Sequence, residues 1–286
     1  MKVATFGSCL SRNTANYLVA DFEFEIMSCV FHVMSEQFVK YYVEKTHELP
    51  DLDWLESMFV ANDDPKSVHY ANGMLRNQYP EQMGLWEFSE QDMPSKIRFL
   101  DLIENHEVDL ILLDNFIDMS SWPMFYTLDP KLSESPIQFV YHFYKNSEEL
   151  LKKFRFGGYV SPRDSARNYL KIMMWLKQKQ PKAKIAFLSF FGCTSEGNPE
   201  RQQRALDFYR ELSTIAPKEF LVLPPLDVPK VLQIEGDWSH VHNSVYRGLA
   251  GKLFVDFIIQ PSNEASSSKG WKGLPWRSGA NKAQNP

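Results

Sequence analysis

Two long apolar runs constrain the fold of this chain more than any other feature of its sequence. Residues 108–113 read VDLILL and residues 184–190 read KIAFLSF. Such runs are typical of strands buried on both faces, as in a parallel sheet that is covered by helices on each side. Between them, residues 161–180 open with Ser-Pro-Arg-Asp and continue with helical spacing, which predicts a long helix. We therefore expect an α/β fold.

The rest of the chain repeats this alternation of strands and helices. Further strands are predicted at residues 3–6, 22–31 and 220–223. Further helices are predicted at residues 11–20, 35–48, 51–61, 94–105, 199–215 and 241–259, with Ser11 as the N-cap of the first. Residues 62–92 are predicted to form a long irregular excursion, and residues 114–145 follow no clear period. The alternation predicts a three-layer sandwich with a mostly parallel central sheet.

The composition changes near residue 260. Residues 1–260 carry the apolar periodicities and contain neither an internal repeat nor a linker between domains. Residues 261–286 are rich in Ser, Gly, Asn, Lys and Pro, and their four basic residues against one acidic residue give them a charge of +3. This composition is typical of disordered segments. We predict one folded domain over residues 1–260 and a disordered basic tail over residues 261–286.

Charge and cysteine content argue against several classes of protein. The net charge of −5 gives no support to nucleic-acid binding, and no apolar run approaches the roughly 18 residues of a membrane span. The N-terminus does not resemble a signal peptide. Three cysteines do not suit a disulfide framework, and no Cys or His pairs have zinc spacing. We expect a cytoplasmic protein without a bound metal, and the sequence leaves its oligomeric state open.

The turn Gly7-Ser8-Cys9 lies between the first predicted strand and the first predicted helix. Ligands of open parallel sheets bind at the carboxyl ends of the strands. Backbone N–H groups at a helix N-terminus favour an anion, stabilise a cysteine thiolate and can hold an oxyanion. Cys9 is therefore a candidate nucleophile with Ser8 as the alternative, and Arg12 is a candidate for binding a carboxylate or phosphate. An ordinary turn with a buried Cys and a solvated surface Arg is the competing interpretation.

A second candidate segment, Asp237-Trp238-Ser239-His240, precedes the last predicted helix. An Asp can hold a nearby imidazole in one tautomer and leave its other nitrogen available as a base. His242 lies close in sequence and competes with His240 for this role. The remaining histidines lack a partner pattern and are interpreted as surface or core residues; they are His32, His47, His69, His106 and His142.

Two more predicted strands are followed by polar residues. Asn115 comes after VDLILL and Asp114, where its amide can donate to an oxyanion or cap a loop. Residues 189–194 follow KIAFLSF and can line a pocket, with Cys193 interpreted as an ordinary loop residue. The carboxyl edge of the predicted sheet therefore collects most of the candidate residues.

Taken in order, these segments resemble the SGNH, or GDSL-type, hydrolase superfamily. The family's first block reads Gly-Asp-Ser-Leu-Ser, and residues 6–11 (FGSCLS) match it at Phe, Gly, Leu and Ser, with Cys9 at the nucleophile position. The last block is also similar, with Asp237 and His240 followed by Tyr246-Arg247 and Ala250 at the usual offsets. The family's Gly-x-Asn-Asp block is absent, and residues 114–116 (DNF) only approximate it with an offset of one residue.

The resemblance implies an SGNH/flavodoxin-like fold over residues 1–260 and an esterase or O-acyltransferase acting on acyl, typically acetyl, groups of a carbohydrate. It implies Cys9 or Ser8 as nucleophile, His240 as base, Asp237 as its orienting partner, and an oxyanion held by N–H groups after Gly7 together with Asn115. The Gly-Ser-Cys opening is also similar to SGNH-like proteins linked to polysaccharide biosynthesis and to capsule acetyltransferases that bind coenzyme A. No cofactor is then required, and acetyl-coenzyme A is one candidate donor. The alternative is a catalytically inactive SGNH-fold binding protein in polysaccharide biosynthesis.

Overall fold

The structure is a computed structural model that describes residues 1–87, 94–139, 143–190, 199–235 and 237–259, with only the backbone of 237–239. In chain order its strands are β1 (Lys2–Gly7), β2 (Glu25–Phe31), β3 (Leu110–Asp114), β4 (Met124–Tyr126), β5 (Pro136–Ile137), β6 (Phe154–Phe156), β7 (Lys184–Leu188), β8 (Leu221–Leu223), β9 (Gln233–Ile234) and β10 (Asp237–Val241). Its helices are α1 (Cys9–Phe22), α2 (Ser35–Phe38), α3 (Leu52–Ser57), α4 (Pro65–Arg76), α5 (Phe99–Asn105), α6 (Phe116–Ser120), α7 (Ser147–Lys153), α8 (Pro162–Lys179), α9 (Pro199–Ile215) and α10 (Asn243–Leu253). The predicted tail over residues 261–286 and Cys193 lie outside the described residues.

The central sheet has five strands in the order β2-β1-β3-β7-β8, and every neighbouring pair is parallel. The two apolar runs form β3 and β7 at its centre. Alternate residues of β3 enter the two cores, since Ile111 and Leu113 pack on one face while Leu110 and Leu112 pack on the other. Burial on both faces explains why these strands are continuously apolar, and it confirms the predicted parallel sheet.

Helices cover both faces of the sheet, so the domain has three layers. One face packs against α2, α5, α8 and α9 through residues such as Phe38, Phe99 and Tyr169. The other packs against α1 and α10 through residues such as Leu18 and Leu249. Crossover helices on alternate faces are what parallel strands require, and the predicted α/β sandwich is confirmed.

The first helix begins earlier than predicted. Its N-cap is Ser8, whose backbone is extended and whose hydroxyl accepts a hydrogen bond from the N–H of Leu10 at 3.1 Å. Ser11 lies inside the first turn, so the prediction of Ser11 as the N-cap is wrong. The strand continues to Gly7, and the helix must therefore start directly after it.

Other helix boundaries also differ from the predictions. Residues 62–92 contain the helix α4, which begins with Asp64 as N-cap and Pro65 in the first turn, so the prediction of an irregular excursion is wrong. The helix predicted at 94–105 begins only at Phe99, because the backbone N–H groups of Lys96 and Ile97 donate to the carbonyl of Met27 within β2. The last helix, predicted to begin at residue 241, begins two residues later at Asn243, because Val241 is still part of β10.

Short elements that were not predicted form two small antiparallel sheets. β4 lies between β5 and β6, and β9 pairs with β10. The β4 sheet packs with α3, α4 and α7 as a separate apolar cluster beside the central sheet. Within the ranges given above, the structure contains no helix that is both long and apolar enough to span a bilayer.

Candidate active site

The candidate residues gather where the order of the sheet reverses. β1 lies between β2 and β3. The chain therefore first adds β2 on one side of β1 and then adds β3, β7 and β8 on the other side. Phe6 pairs with Leu113, which brings the following residues, Gly7 and Asp114, to the same level at the carboxyl edge. Such a switch point is where ligands bind in open parallel sheets.

Asp114 fixes the turn that follows β1. Its buried carboxylate accepts hydrogen bonds from the N–H groups of Ser8 at 2.8 Å and Ser11 at 3.0 Å, and also from Phe116 at 3.0 Å. A Cβ at Gly7 would overlap this carboxyl group, so the turn requires glycine. Burial raises the pKa of Asp114 above its usual range, while the hydrogen bonds from Phe116, Ser11 and Ser8 oppose that rise.

The N-terminus of α1 is therefore already occupied by an anion from the protein itself. The Ser8 and Ser11 N–H groups bind Asp114, and the Leu10 N–H binds the Ser8 hydroxyl. In this arrangement these three N–H groups are engaged within the protein and are not available to an oxyanion. The favourable position that the helix dipole offers to a negative charge is taken by Asp114.

Ser8 and Cys9 differ in exposure and in contacts. Ser8 is 3% exposed and its hydroxyl caps α1. Cys9 is partly exposed and is the first residue of α1. A nucleophile has to be reached by its substrate, so this division favours Cys9 over Ser8 for that role.

Arg12 and Asn115 are both buried. Arg12 is 1% exposed, so the interpretation of a solvated surface arginine is wrong. The Asn115 side-chain oxygen accepts a hydrogen bond from the N–H of Phe190 at 3.0 Å, which ties the end of β3 to the chain after β7. The Asn115 Nδ2 atom and the Ser189 hydroxyl are buried and have no hydrogen-bond partner among the described residues. Asn115 therefore caps a loop through its side-chain oxygen, while its Nδ2 group remains available as a hydrogen-bond donor.

His32 is a site residue that the sequence interpretation missed. It follows β2 directly, its N–H donates to the carbonyl of Gly7 at 2.8 Å, and its backbone is left-handed with φ of 54°. Its ring packs 5.7 Å from that of Phe116 and 6.5 Å from that of Trp86. The criterion that selected Asn115, a polar residue at the end of a predicted strand, would also have selected His32.

His32 and His240 interact electrostatically. His32 is partly exposed but its Nε2 is buried. Desolvation, and to a smaller extent the charge of His240, lowers the pKa of His32 from 6.5 to about 4. His240 itself lies on β10 and is partly exposed. His240 therefore lies near enough to His32 for its charge to act on that imidazole.

The other residues of the last block have different positions. The backbone of Asp237, the first residue of β10, pairs with Ile234 of β9, and the side chain of Asp237 lies outside the described part of the structure. His242 is exposed, and its ring nitrogen accepts a hydrogen bond from the N–H of Ser244 as the N-cap of α10. A capping role leaves His242 a poorer candidate base than His240.

A large surface depression lies elsewhere. It measures about 840 Å³ and runs between residues 46–51 and residues 126–135. Its lining residues include Trp54 and Asp129 but none of the candidate catalytic residues. The candidate site is therefore defined by its side chains and not by this depression.

No model of a known protein family matches the chain, and no curated protein matches it. Solved structures do superpose on it. One is a carbohydrate esterase whose active site displays divergent catalytic and non-catalytic binding functions, with 11% identity, a TM-score of 0.41, and coverage of 91% of this chain and 65% of that one. A family two carbohydrate esterase from Clostridium thermocellum in complex with cellohexaose has 8% identity, a TM-score of 0.41, and coverage of 89% and 62%. An acetyl xylan esterase from the rumen bacterium Butyrivibrio proteoclasticus has 10% identity, a TM-score of 0.36, and coverage of 88% and 63%.

The chain spans less than two thirds of the length of each of these proteins. Identities of 8–11% and TM-scores below 0.5 assign no activity to it. What the chain does has to be inferred from its own residues.

Proposed function

We propose that this protein transfers or hydrolyses acyl groups through Cys9, with His240 as the general base. The observation that carries the proposal is the arrangement of the turn after β1, where Ser8 is buried as the helix cap and Cys9 is partly exposed at the first position of α1. A cysteine at the start of a helix, at the switch point of a parallel sheet, is suited to nucleophilic attack. His240 lies near enough to His32 for its charge to act on that imidazole, and the backbone of His32 contacts Gly7.

The reaction has two steps. In the first, the Cys9 thiol gives its proton to His240 and the thiolate attacks the acyl carbonyl; the carbon–oxygen bond of an ester breaks, and the alcohol leaves with the proton from His240. With acetyl-coenzyme A as donor, the carbon–sulfur bond of the thioester breaks instead, and coenzyme A leaves as the thiol with that proton. In the second, water or a sugar hydroxyl gives a proton to His240 and attacks the thioester; the carbon–sulfur bond breaks, and His240 returns the proton to the Cys9 thiolate. Asp237 is proposed to orient His240 and to stabilise its imidazolium.

Asn115 is the proposed donor to the oxyanion. Its Nδ2 atom has no hydrogen-bond partner among the described residues, and its position is fixed through the bond that Phe190 donates to its oxygen. An amide donor of this kind stabilises the negative charge that develops on the carbonyl oxygen once the substrate can reach it. Because three N–H groups of the α1 turn are already used, a side-chain donor has greater importance here.

The proposed substrate is an acyl ester, most simply an acetyl ester, on a carbohydrate. This choice rests on the motif resemblance at residues 6–11 and 237–250. Acetyl-coenzyme A is the proposed donor if the second step transfers the group to a sugar. A hydrolase releases acid without any acceptor, whereas a transferase needs one.

The test is intact-protein mass spectrometry after brief incubation with p-nitrophenyl acetate or with acetyl-coenzyme A, followed by peptide mapping. The expected result is an acetyl adduct on Cys9 that hydroxylamine removes and that is lost in Cys9→Ala and His240→Ala. Cys29→Ala serves as the matched control, since Cys29 is buried in β2 and should leave labelling unchanged. Labelling from acetyl-coenzyme A favours the transferase. An adduct on Ser8, or none on either residue, contradicts the proposal.

A second function, binding without turnover, is favoured by two observations. Asn115 is fully buried, so its amide reaches a substrate carbonyl only after a local rearrangement, and the N–H groups of the α1 turn are already engaged. A binding protein would show saturable carbohydrate binding by calorimetry that survives Cys9→Ala, with no adduct from either donor. Turnover that depends on Cys9 excludes it.

A further inference from the structure

Three exposed aromatic rings form a cluster beside the candidate site. Trp122, Phe156 and Tyr159, here called the aromatic platform, are 36%, 38% and 45% exposed. The ring of Trp122 lies edge-to-face with that of Phe156 at 5.2 Å and with that of Tyr159 at 5.4 Å. Because the three rings are adjacent and not scattered singly, they form one apolar patch that a ligand can contact.

The platform is held in place by features around it. A Cβ at Gly157 would lie 2.6 Å from the ring of Phe125 and 2.8 Å from Pro123, so only glycine allows β6 to end this close to the residue after Trp122. Gly158 then turns the chain with a φ of 76°. The backbone around the platform is therefore fixed although the three rings remain exposed.

Arg204 of α9 secures the platform from the other side. Its guanidinium stacks on the ring of Tyr159 at 4.1 Å and donates to the carbonyls of Asp118, Met119 and Val160. These bonds connect the end of α6 to the segment that carries Tyr159. Because the rings are held before any ligand arrives, little conformational freedom is lost on binding.

The helix α6 connects the platform to the candidate site. It starts directly after Asn115 and ends two residues before Trp122. Five helical residues at 1.5 Å each, followed by two extended ones, place the Trp122 backbone within about 15 Å of Asn115. An extended ligand can therefore lie on the platform and reach the carboxyl edge of the sheet.

We propose that the aromatic platform binds a carbohydrate chain at a distance from the reacting ester. Sugar rings have apolar C–H faces that stack on aromatic rings and hydroxyl edges that hydrogen-bond to polar neighbours. The guanidinium of Arg204, which stacks on Tyr159, supplies a polar group next to the rings. This proposal rests on the proposed function, because the bound carbohydrate polymer is taken to be the one that carries the acyl ester.

A protein partner fits the platform less well. Three aromatic side chains at these exposures present about 250 Å² in total, given that each ring has 150–250 Å² to bury. A stable protein interface needs roughly 800 Å² on each partner. A stacked sugar chain needs only the ring faces, which is the occupant that this area suits.

The first measurement is affinity electrophoresis of the whole chain in gels that contain partially acetylated xylan or partially acetylated pectin, a neutral and an acidic polymer. We expect wild type to be retarded by at least one polymer, and Trp122→Ala and Tyr159→Ala to bind about tenfold more weakly, the equivalent of roughly 1.4 kcal/mol. Val231→Ala is the matched control, since Val231 is 85% exposed and remote in sequence from the platform. No retardation by either polymer, or equal retardation of all variants, overturns the proposal.

Two further measurements separate this proposal from the proposed function. Labelling of Cys9 by p-nitrophenyl acetate should be unchanged in Trp122→Ala, because the small ester does not reach the platform, while acetate release from the retarding polymer should fall. If Cys9 is never labelled but retardation still depends on Trp122, the platform stands and the acyl chemistry fails. Sedimentation that shows self-association of wild type and its loss in Trp122→Ala would identify a second copy as the occupant and overturn the carbohydrate proposal.

Discussion

At the scale of single residues, the contact between Gly7 and Asp114 determines the shape of the site. The carboxylate fills the space that a side chain at residue 7 would occupy, and it holds the first turn of α1. The sequence suggested glycine as a turn former, whereas the structure shows that it makes room for a buried anion. The N-terminus of α1 is thereby neutralised from within the protein.

Gly7→Ala should therefore destabilise the fold. The added methyl group overlaps the Asp114 carboxyl and forces the strand or the turn to shift, and overpacking of this kind costs about 1–3 kcal/mol. The measurement is the free energy of unfolding in urea. Gly248→Ala is the matched control, because a Cβ there meets nothing within 4 Å and an exposed helical Ala stabilises by up to about 1 kcal/mol. Equal effects of the two substitutions would contradict this account.

His32 should make stability depend on pH. Its pKa is about 4 in the folded protein against 6.5 ordinarily, so the unfolded chain binds a proton first as the pH falls. The stabilising contribution of neutral His32 is complete above pH 6.5 and is lost between pH 6.5 and 4, by at most about 3.5 kcal/mol at roughly 1.4 kcal/mol per pH unit. The raised pKa values of Asp114 and Asp118 act in the opposite direction.

The effect of His32 can be isolated by difference. Unfolding free energies of wild type and His32→Gln should be compared at pH 7 and pH 4.5, with His106→Gln, whose histidine lies outside the candidate site, as control. Wild type should lose more stability than His32→Gln over this interval, because the carboxylates contribute equally to both. An identical loss in the two proteins would show that His32 is not held neutral by the fold.

At the scale of elements, strands and helices could be predicted from the sequence where their burial requires a recognisable pattern of apolar residues or a recognisable cap. β3 and β7 were predictable because both of their faces are buried, and α8 because Ser161 caps it and Pro162 starts it. α4 had the same kind of signal, Asp64 before Pro65, and was missed only because the surrounding residues are polar. β4, β5 and β6 have two or three residues each, too few to show any period.

Capping of α1 can be separated from its chemistry. Ser8→Ala removes the hydroxyl that accepts from Leu10, which should cost about 1 kcal/mol of stability, and labelling of Cys9 should remain. Ser161→Ala, which removes the N-cap of α8, should cost a similar amount and provides the comparison. Chemical denaturation gives the cost, and mass spectrometry of the adduct gives the chemistry. Loss of labelling in Ser8→Ala at unchanged stability would make Ser8 the nucleophile.

At the scale of the whole molecule, the site depends on connections that a single sequence does not display. Ser8 and Asp114 lie 106 residues apart and meet because β3 pairs with β1, on the side away from β2. The alternation of elements predicts a parallel sheet but not the order of its strands, and that order decides which strand ends are neighbours. Cys9, His240 and Asn115 were selected from sequence by their chemistry; the contact between His32 and Gly7 follows only from the strand order.

Residues 254–259, the last ones that the structure describes, provide a test of where the folded domain ends. Phe254 stacks on Phe22 with ring centroids 4.2 Å apart, and the Lys184 ammonium donates to the carbonyl of Ile258 at 3.1 Å, so residues 254–259 pack on α1 and β7. Ending the chain after residue 253 should lower the free energy of unfolding by about 1–3 kcal/mol, less than the loss of a fully buried aromatic side chain, because Phe254 is only partly buried. Ending it after residue 260 should leave that free energy unchanged, as the predicted boundary at 260/261 requires. Thermal and urea denaturation of the two shortened chains beside the full one measure both effects.

A loss of stability in the chain that ends after residue 260 would place part of the fold beyond that residue. No loss in the chain that ends after residue 253 would mean that the aromatic contact with Phe22 contributes nothing to stability.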